Sequence, residues 1–269
     1  MPCQHHQHCW LVHQSRTLAK LLQIFSTVII PKPNKISHDQ PKSFCPIVLL
    51  NTIGKLLEKV IAERIQFIVA SNNFIHSSQL GGLKFKSTTD AGVALTHIVC
   101  SEWIKGKMTS ILAFNISQFF PSLNHQLLTL ILKKVGLESK VSSFFVNYLV
   151  KRKMSYLWNN LSSPNFEVNV GVGQGSTLSS ILLALYLSLF LHILEKCLKI
   201  LKIPIFILLF VDDGLIIVQN KSLDILTLIS FVVIMYFQNF LIVLVSSLNM
   251  RKLKFSISID HMESLILLH

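Results

Sequence analysis

The chain has 269 residues, a formal net charge of +12 and an isoelectric point near 9.6, and 51% of its residues are hydrophobic. This length can bury a core in one large or two modest domains without covalent help, and five scattered cysteines, an odd number, argue against a disulfide framework and for a reducing compartment. The basic charge favours a polyanionic partner such as nucleic acid, although ribosomal and membrane-surface proteins share it.

Residues 1–14 form a head rich in histidine and cysteine, within a leader of residues 1–24 whose first 20 residues lack the apolar run that a signal peptide needs. Its metal-ligand side chains are Cys3, His5, His6, His8, Cys9 and His13. These side chains are crowded, whereas a structural zinc site takes pairs of ligands separated by a loop. We therefore predict a degenerate, disordered leader, with a metal site as the alternative.

The rest of the chain alternates between short apolar runs and segments whose apolar residues recur at helical spacing. The predicted strands are Thr27–Ile30, Pro46–Leu50, Ile111–Ile116, Tyr156–Leu161, Phe166–Val170, Ile205–Phe210 and Leu215–Val218. The predicted helices run from the N-cap Asn51 through Phe67, from Asp90 onward, and over Leu127–Val135, Val141–Val150 and Leu178–Leu194. This mixture is typical of an α/β or α+β protein.

Two adjacent carboxylates, Asp212 and Asp213, lie at the predicted tight turn between the last two strands. Burying two like charges is costly unless a cation neutralises them. The turn therefore indicates a divalent metal site, most naturally for Mg²⁺, which prefers hard oxygen ligands. On this motif alone, an ordinary Asp-Gly hairpin turn is an equal alternative.

Phosphoryl transfer with two metal ions requires a third carboxylate that bridges the pair. The predicted strand Ile111–Ile116 is the right kind of element to supply it, but it offers Asn115. An amide oxygen can coordinate a metal, yet it carries no negative charge and bridges two cations poorly.

Several motifs, in the right order and spacing, resemble those of reverse transcriptases from non-LTR (LINE-type) retroelements of the kind abundant in fungi. Residues 210–213 resemble the (Phe/Tyr)-x-Asp-Asp motif, and residues 173–179 resemble Pro-Gln-Gly-Ser-x-Leu-Ser with Gly173 in place of proline. Residues 114–125 match the first palm motif apart from Asn115. The segments that resemble fingers motifs are 31–35, 42–47, 54–59 and 79–91. The similarity covers roughly Phe25 to Leu226.

The resemblance implies an RNA-directed DNA polymerase that uses Mg²⁺, an RNA template, a DNA primer and deoxynucleotides, inside the cell in the nucleus or cytoplasm. It also implies that Asp212 and Asp213 are carboxylates of the metal site and that Ile116 lends its backbone carbonyl. Phe120 would be the aromatic gate whose ring fills the space of a ribose 2′-OH.

The resemblance also assigns residues to the nucleotide and the template. Gln174 would contact the incoming nucleotide, and Gly173 and Gly175 would let the backbone approach it closely, the alternative being a simple helix-entry turn. Lys84 and Lys86 would face template phosphates, whereas a solvated surface is the alternative for any single lysine.

Two departures from the family pattern predict that this chain does not catalyse. Asn115 occupies the position of the metal-bridging aspartate, so both cations and the triphosphate lose a compensating charge. Cys45 replaces a fingers arginine, and a thiol cannot donate the bidentate charged contact to phosphate. A non-catalytic nucleic-acid-binding remnant is therefore the alternative function.

The resemblance implies an α/β right-hand fold with fingers at 25–110 and palm at 111–228, lacking the thumb. The tail, 229–269, has no Lys-Thr-Glu segment of the kind the family carries there. Back-translation of residues 249–255 with suitable codons, read one base earlier, gives Glu-His-Glu-Lys-Thr-Glu-Val. We therefore predict an out-of-frame tail. The alternative is a membrane span at 225–248, since this stretch is almost uncharged and long enough to cross a bilayer.

Overall fold

The computed structural model describes residues 23–33, 36–117, 119–159, 161–201, 205–247 and 254–256. The predicted leader therefore lies outside the described residues apart from its last two positions. The described chain forms two compact units, each built from two separate stretches of sequence. The first unit comprises the chain up to Asn72 together with Phe120–Ser179, and the second comprises Asn73–Phe119 together with the chain from Ser180 onward.

The described strands are β1 (Ile24–Pro31), β2 (Phe44–Leu49), β3 (Met108–Ser117), β4 (Arg152–Trp158), β5 (Leu161–Ser162), β6 (Phe166–Val168), β7 (Ile205–Phe210), β8 (Asp213–Asn220) and β9 (Lys254–Ser256). The described helices are α1 (Thr52–Ser71), α2 (Thr88–Trp103), α3 (Phe119–Ser122), α4 (His125–Lys134), α5 (Ser139–Leu149), α6 (Thr177–Leu201) and α7 (Leu223–Ser247), with a 3₁₀ turn at Pro41–Ser43.

The sheet of the first unit has the strand order β2-β1-β4-β5, with β6 also pairing with β4. Strand β1 runs antiparallel to β2 and parallel to β4, so that Val28 lies opposite both Ile47 and Leu157. The parallel pair requires a long crossover, because two parallel strands cannot be joined by a tight turn. Here the crossover spans the whole chain between β1 and β4.

Helix α1 begins where the sequence predicts, because the Asn51 side chain accepts a hydrogen bond from the Gly54 amide. Its buried face, however, is not the one with the largest apolar residues. The exposed fractions of Ile53 and Leu56 are 68% and 62%. The face that is buried carries Gly54, Glu58, Ala62, Ile65 and Val69.

The sheet of the second unit has the strand order β7-β8-β3-β9, and all its neighbouring strands are antiparallel. The continuous apolar run in β8 buries Ile216, Ile217 and Val218, since this central strand is covered on both faces. The tail contributes β9, whose Phe255 pairs with Ile116 of β3. The out-of-frame origin of the tail stays a prediction.

Among the described residues, one helix is long and apolar enough to cross a bilayer by length and composition, Thr177–Lys199 in α6. Of its most apolar window, 72% is buried inside the protein, as in the core helix of a water-exposed domain. The alternative membrane span at 225–248 lies largely in α7 (Leu223–Ser247), of which the described side chains form the apolar segment Leu223–Met235.

Most predicted elements are present within a few residues of their predicted ends. The hairpin around residues 156–170 is an exception. Strand β4 begins earlier than predicted and ends at Trp158, and Asn159 has a positive φ of 45° that turns the chain there. As a result β4 pairs with β6 through Met154 opposite Phe166, and with β5 through Leu157 opposite Ser162.

Candidate active site

The Asp212-Asp213 turn lies at the end of three adjacent strands of the second unit. Strand β8 begins at Asp213, which lies opposite both Phe210 in β7 and Asn115 in β3. The Ile116 amide donates to the Asp212 backbone carbonyl at 3.0 Å, which ties the turn to β3. The fold therefore brings together four residues predicted for the metal site, Asn115, Ile116 and the two aspartates.

The two carboxylates differ in their environment. Asp212 is half-buried, and Asp213 is exposed. Burial raises the pKa of Asp212, a hydrogen bond from its own backbone amide opposes this, and the charge of Asp213 raises it further. A cation beside both carboxylates would offset both effects that raise the pKa, because it favours the charged form.

This donor set suits one divalent cation better than two. Two carboxylates supply hard oxygen ligands of the kind that Mg²⁺ prefers. The third side chain at the turn is the exposed amide of Asn115, directly opposite Asp213 in the β3–β8 register. A bridge between two cations needs a charged oxygen, and Asn115 does not provide one.

The backbone of the turn is strained, and a glycine from another segment makes room for it. Val211 has a φ of +61°, a conformation that β-branched residues rarely adopt. Gly81 packs against it so closely that an added Cβ would lie 2.1 Å from the Val211 nitrogen. Leu80, next to Gly81, donates to the Leu209 carbonyl at 2.8 Å. The sequence alone indicates only that Gly81 interrupts regular secondary structure.

The predicted nucleotide residues Gly173, Gln174 and Gly175 form a loop in the first unit, directly before α6. The Gln174 carbonyl accepts a hydrogen bond from the Val48 amide of β2 at 2.8 Å. A Cβ on Gly173 would lie 2.9 Å from the Val48 side chain, and Gly175 has a φ of +102°. Both glycines are therefore required for the approach of the loop to β2, as well as for entry into α6.

Cys45 and Gln174, which the resemblance assigns to phosphate and nucleotide binding, lie together in the first unit. The Cys45 thiol donates to the Gln174 side-chain oxygen at 3.6 Å. This is a weak bond to one of the two lone pairs of the amide oxygen. A guanidinium at residue 45 would instead present several charged donors.

Phe120 is half-buried, at the start of the short helix α3. Its carbonyl accepts a hydrogen bond from the Val172 amide at 2.8 Å, so the proposed aromatic gate is fixed to the loop that leads to Gln174. Gly171 makes this contact possible, since it has a φ of +80° and an added Cβ would lie 2.6 Å from the Pro121 backbone.

The sequence did not single out Glu58, a fully buried carboxylate in the first unit. Its Oε1 accepts a hydrogen bond from the Tyr148 hydroxyl at 2.7 Å, and the Arg152 guanidinium lies over the Tyr148 ring, 4.7 Å from its centroid. Burial raises the pKa of Tyr148 far above its ordinary value. The available signal was the spacing of Glu58 from Gly54 and Ala62, which places it among small residues on one face of α1.

Lys84 and Lys86 are exposed and flank Phe85 in the loop before α2. Phe85 is 91% exposed and has a φ of +62°, and the Lys84 ammonium lies 5.3 Å from the centroid of its ring. The helix that follows is capped by reciprocal hydrogen bonds between Ser87 and Asp90. The loop therefore presents two cations and an aromatic ring to solvent.

A family model described as "Reverse transcriptase (RNA-dependent DNA polymerase)" matches residues 30–262. The chain belongs to this family. Its curated relatives include the probable RNA-directed DNA polymerase from transposon BS of Drosophila melanogaster, 26% identical over 62% of this chain and 18% of the relative. The Pol polyprotein from type-1 retrotransposable element R2 of Popillia japonica is 24% identical over 73% of this chain and 28% of the relative.

Solved telomerase structures share the fold of this reverse transcriptase. Apo telomerase from Candida tropicalis, truncated from the C-terminal domain, aligns with a TM-score of 0.54 at 13% identity, over 78% of this chain and 46% of that one. Telomerase from Candida albicans with a fragment of telomeric RNA aligns with the same TM-score at 14% identity, over 83% and 42%. The predicted α/β fingers-and-palm fold and the non-LTR resemblance are therefore confirmed.

The chain spans between 17% and 28% of the length of the curated relatives.

Proposed function

We propose that this reverse transcriptase chain is the fingers and palm of a non-LTR RNA-directed DNA polymerase whose polymerisation step is abolished or nearly so. The observation that carries the proposal is the register of β3 and β8, in which Asn115 lies directly opposite Asp213. An aspartate at residue 115 would be the third carboxylate of the site, and the amide of Asn115 supplies no charge there. The proposed domains are fingers at 25–110 and palm at 111–228.

The residues that would hold Mg²⁺ are Asp212 and Asp213, with Asn115 as a neutral third group and the Ile116 carbonyl as a backbone ligand. Bound there, the cation would supply charge stabilisation for the transferring phosphoryl group. Asp212 and Asp213 would supply the carboxylate oxygens, and the hydrogen bond from the Ile116 amide to the Asp212 carbonyl holds the turn against β3.

In the first unit, Gln174, Gly173 and Gly175 would form the wall of the nucleotide site and Phe120 would select deoxynucleotides. Two features support this assignment: the loop is fixed to Val48 of β2, and Phe120 is fixed to the same loop through Val172. Cys45 would reduce affinity for the triphosphate because its thiol offers no positive charge.

The experiment compares primer extension on an RNA template by the wild type, Asn115→Asp and Asn115→Asp with Asp213→Asn, in Mg²⁺. We expect extension from Asn115→Asp alone, at least about a hundredfold above the wild type, because oriented charge at a transfer site is worth that much. Wild-type extension close to the Asn115→Asp rate would overturn the proposed impairment. Restored extension that survives Asp213→Asn would overturn the assignment of the metal site.

A second candidate function, nucleic-acid binding without catalysis, is favoured by the exposed Lys84, Phe85 and Lys86 loop. Lysines neutralise phosphates and release counterions, and an exposed ring can stack on a base. Binding of the wild type to single-stranded RNA should weaken as salt rises, and Lys84→Gln with Lys86→Gln should reduce the salt slope. The control is Lys199→Gln, an exposed lysine on α6. Equal slopes for all three proteins would exclude this loop from the interface.

A further inference from the structure

Two imidazoles and a carboxylate, distinct from the Asp212-Asp213 turn, converge in the second unit. The metal-ligand atoms of His76, His192 and Glu195 all lie within 4.8 Å of one another. His192 and Glu195 are three residues apart on α6 and therefore share a face, whereas His76 comes from the loop between α1 and α2. We propose that these three side chains bind a zinc-class divalent ion that fastens the segment 76–81 to α6.

The loop is already docked along this face of α6 in a geometry close to that of a bound site. The His76 amide donates to the Ser188 hydroxyl at 3.1 Å, and the His76 Nε2 lies 3.2 Å from Glu195 Oε2. The ring centroids of His76 and His192 are 4.8 Å apart. Because His76 is buried and anchored at both its backbone and its side chain, little ordering is needed to close the site.

Zinc takes this donor set of two histidines and one carboxylate in proteins. Two ring nitrogens and one carboxylate oxygen, with a water in the fourth position, complete a tetrahedral site. One His192 nitrogen donates to the Phe74 carbonyl, which leaves the lone pair of the other nitrogen for a metal.

Two interactions compete with the ion. The Ser78 amide donates to His76 Nδ1 at 3.1 Å, and His76 Nε2 faces Glu195. When Nε2 coordinates the metal, the ring proton is on Nδ1, and the hydrogen bond from Ser78 is lost. This cost is small, because one neutral hydrogen bond contributes far less free energy than the binding of three ligands to a divalent cation. Lys199 holds the other Glu195 oxygen at 2.9 Å and repels a cation.

The ion would act on the Asp-Asp turn through the segment next to the cluster. Leu209 of β7 donates to the Ser78 carbonyl and accepts from the Leu80 amide, both at 2.8 Å. Strand β7 ends at Phe210, immediately before the strained Val211. Fastening residues 76–81 therefore stabilises the strand that leads into the turn, and this effect does not depend on whether the polymerase is active.

The test is zinc titration of the full chain, monitored by competition with a chromophoric chelator. The background carries serine or asparagine at the six cysteine and histidine positions of the head, so that zinc binding to those side chains does not contribute to the signal. We expect one equivalent of zinc to bind, and His192→Ala and Glu195→Gln each to weaken binding at least about tenfold. His97→Ala, an exposed histidine on α2, should leave binding unchanged.

Lys199→Ala provides a variant with the opposite sign, since it removes a competing cation and should strengthen zinc binding. Zinc should also slow amide exchange at Leu80 and Leu209 in the background protein but not in His192→Ala. Because His192 is exposed, His192→Ala should leave the fold intact. The melting temperature of this variant before zinc is added checks this, since a destabilised protein would melt lower. Zinc binding that is unchanged by both His192→Ala and Glu195→Gln, or no binding at all, would overturn the proposal.

Discussion

The Ser176 hydroxyl donates a hydrogen bond of 2.6 Å to the carboxylate of Glu58, whose side chain is fully buried. Its Oε2 atom, which accepts the Ser176 bond, also accepts a hydrogen bond from the Thr177 amide at 3.1 Å, at the first turn of α6. A negative charge at a helix N-terminus is favourable, because the free amides there carry partial positive charge. Glu58 therefore fixes the end of the loop that carries Gln174 and positions that loop without contacting substrate.

Replacing this carboxylate by its amide should destabilise the first unit. In Glu58→Gln the amide group cannot accept from all the hydroxyl and amide donors that now face Glu58, so buried donors lose their partner. We expect the free energy of unfolding to fall by about 2–3 kcal/mol in urea denaturation. Glu63→Gln, on the exposed side of the same helix, should change it by less than about 0.5 kcal/mol. Equal effects of the two substitutions would contradict the role of Glu58.

The contact between Gly81 and Val211 predicts a second stability effect. In Gly81→Ala the new methyl group would meet backbone, which cannot move aside as a side chain can, so the segment or the turn must shift. We expect a loss of about 1–3 kcal/mol in thermal or urea unfolding. At Gly92 in α2 a methyl group would meet open space, so Gly92→Ala should instead stabilise by about 0.5–1 kcal/mol. Loss of stability in both variants would show that glycine itself, and not the close approach, is what matters.

Local signals in the sequence predicted most of the elements and the hairpin that carries the aspartates. Asn51 caps its helix as expected, and the apolar runs on either side of Asp212 and Asp213 form the antiparallel pair β7–β8. These features depend on neighbours in the chain, namely the side chain that can cap an amide and the apolar alternation that fits a strand. They could therefore be recognised one segment at a time.

Features that depend on distant segments could not be predicted in the same way. The buried face of α1 is decided by Tyr148 and Ser176, which supply the partners that allow Glu58 to be buried in place of Ile53. The segment around Leu80 pairs with β7, more than a hundred residues later, through backbone groups that any residue type could offer. Long-range pairing of this kind leaves no local pattern to read.

His125 predicts how stability depends on pH. Its Nε2 lies 2.6 Å from the Gly171 carbonyl. Burial holds its pKa below the ordinary value of 6.5, the Gly171 hydrogen bond opposes this and the Arg152 charge adds to it. The unfolded chain therefore binds the proton more tightly, and the free energy of unfolding should fall as pH drops through 6.5 towards the folded pKa.

The measurement is urea unfolding at about pH 7.5 and about pH 5.5, which bracket the unfolded pKa. The wild type should lose more stability between these conditions than His125→Gln, which retains a donor for Gly171 without titrating. His97→Gln, an exposed histidine, should behave as the wild type does. A wild type and a His125→Gln protein with identical pH dependence would exclude His125 as the source.

Phe85 predicts a substitution that stabilises the fold while it weakens nucleic-acid binding. The left-handed conformation at a φ of +62° costs a non-glycine residue about 1–2 kcal/mol, and a ring that is 91% exposed gains little from packing. Phe85→Gly removes this strain, but glycine loses more chain entropy on folding, which offsets part of the gain. The net stabilisation should be about 0.5–1 kcal/mol. Single-stranded RNA should bind it less tightly, because a stacking ring is lost. The melting temperature and the RNA affinity are measured for the wild type, Phe85→Gly and Phe85→Asn, since asparagine adopts the left-handed conformation more readily than phenylalanine does. A lower melting temperature for Phe85→Gly than for the wild type would refute the strain argument.

Restoring the third carboxylate should change stability in opposite directions with and without metal. In Asn115→Asp a new charge lies directly opposite Asp213 and beside the half-buried Asp212, so the metal-free protein should lose about 0.2–1 kcal/mol. Because the third carboxylate strengthens cation binding, millimolar Mg²⁺ should raise the melting temperature of this variant more than that of the wild type. Asn115→Ser is the matched control, since it removes the amide without adding charge and should respond to Mg²⁺ no more than the wild type does. If Mg²⁺ shifts all three melting temperatures equally, residue 115 does not face the ion, and the impairment must then be sought at Cys45.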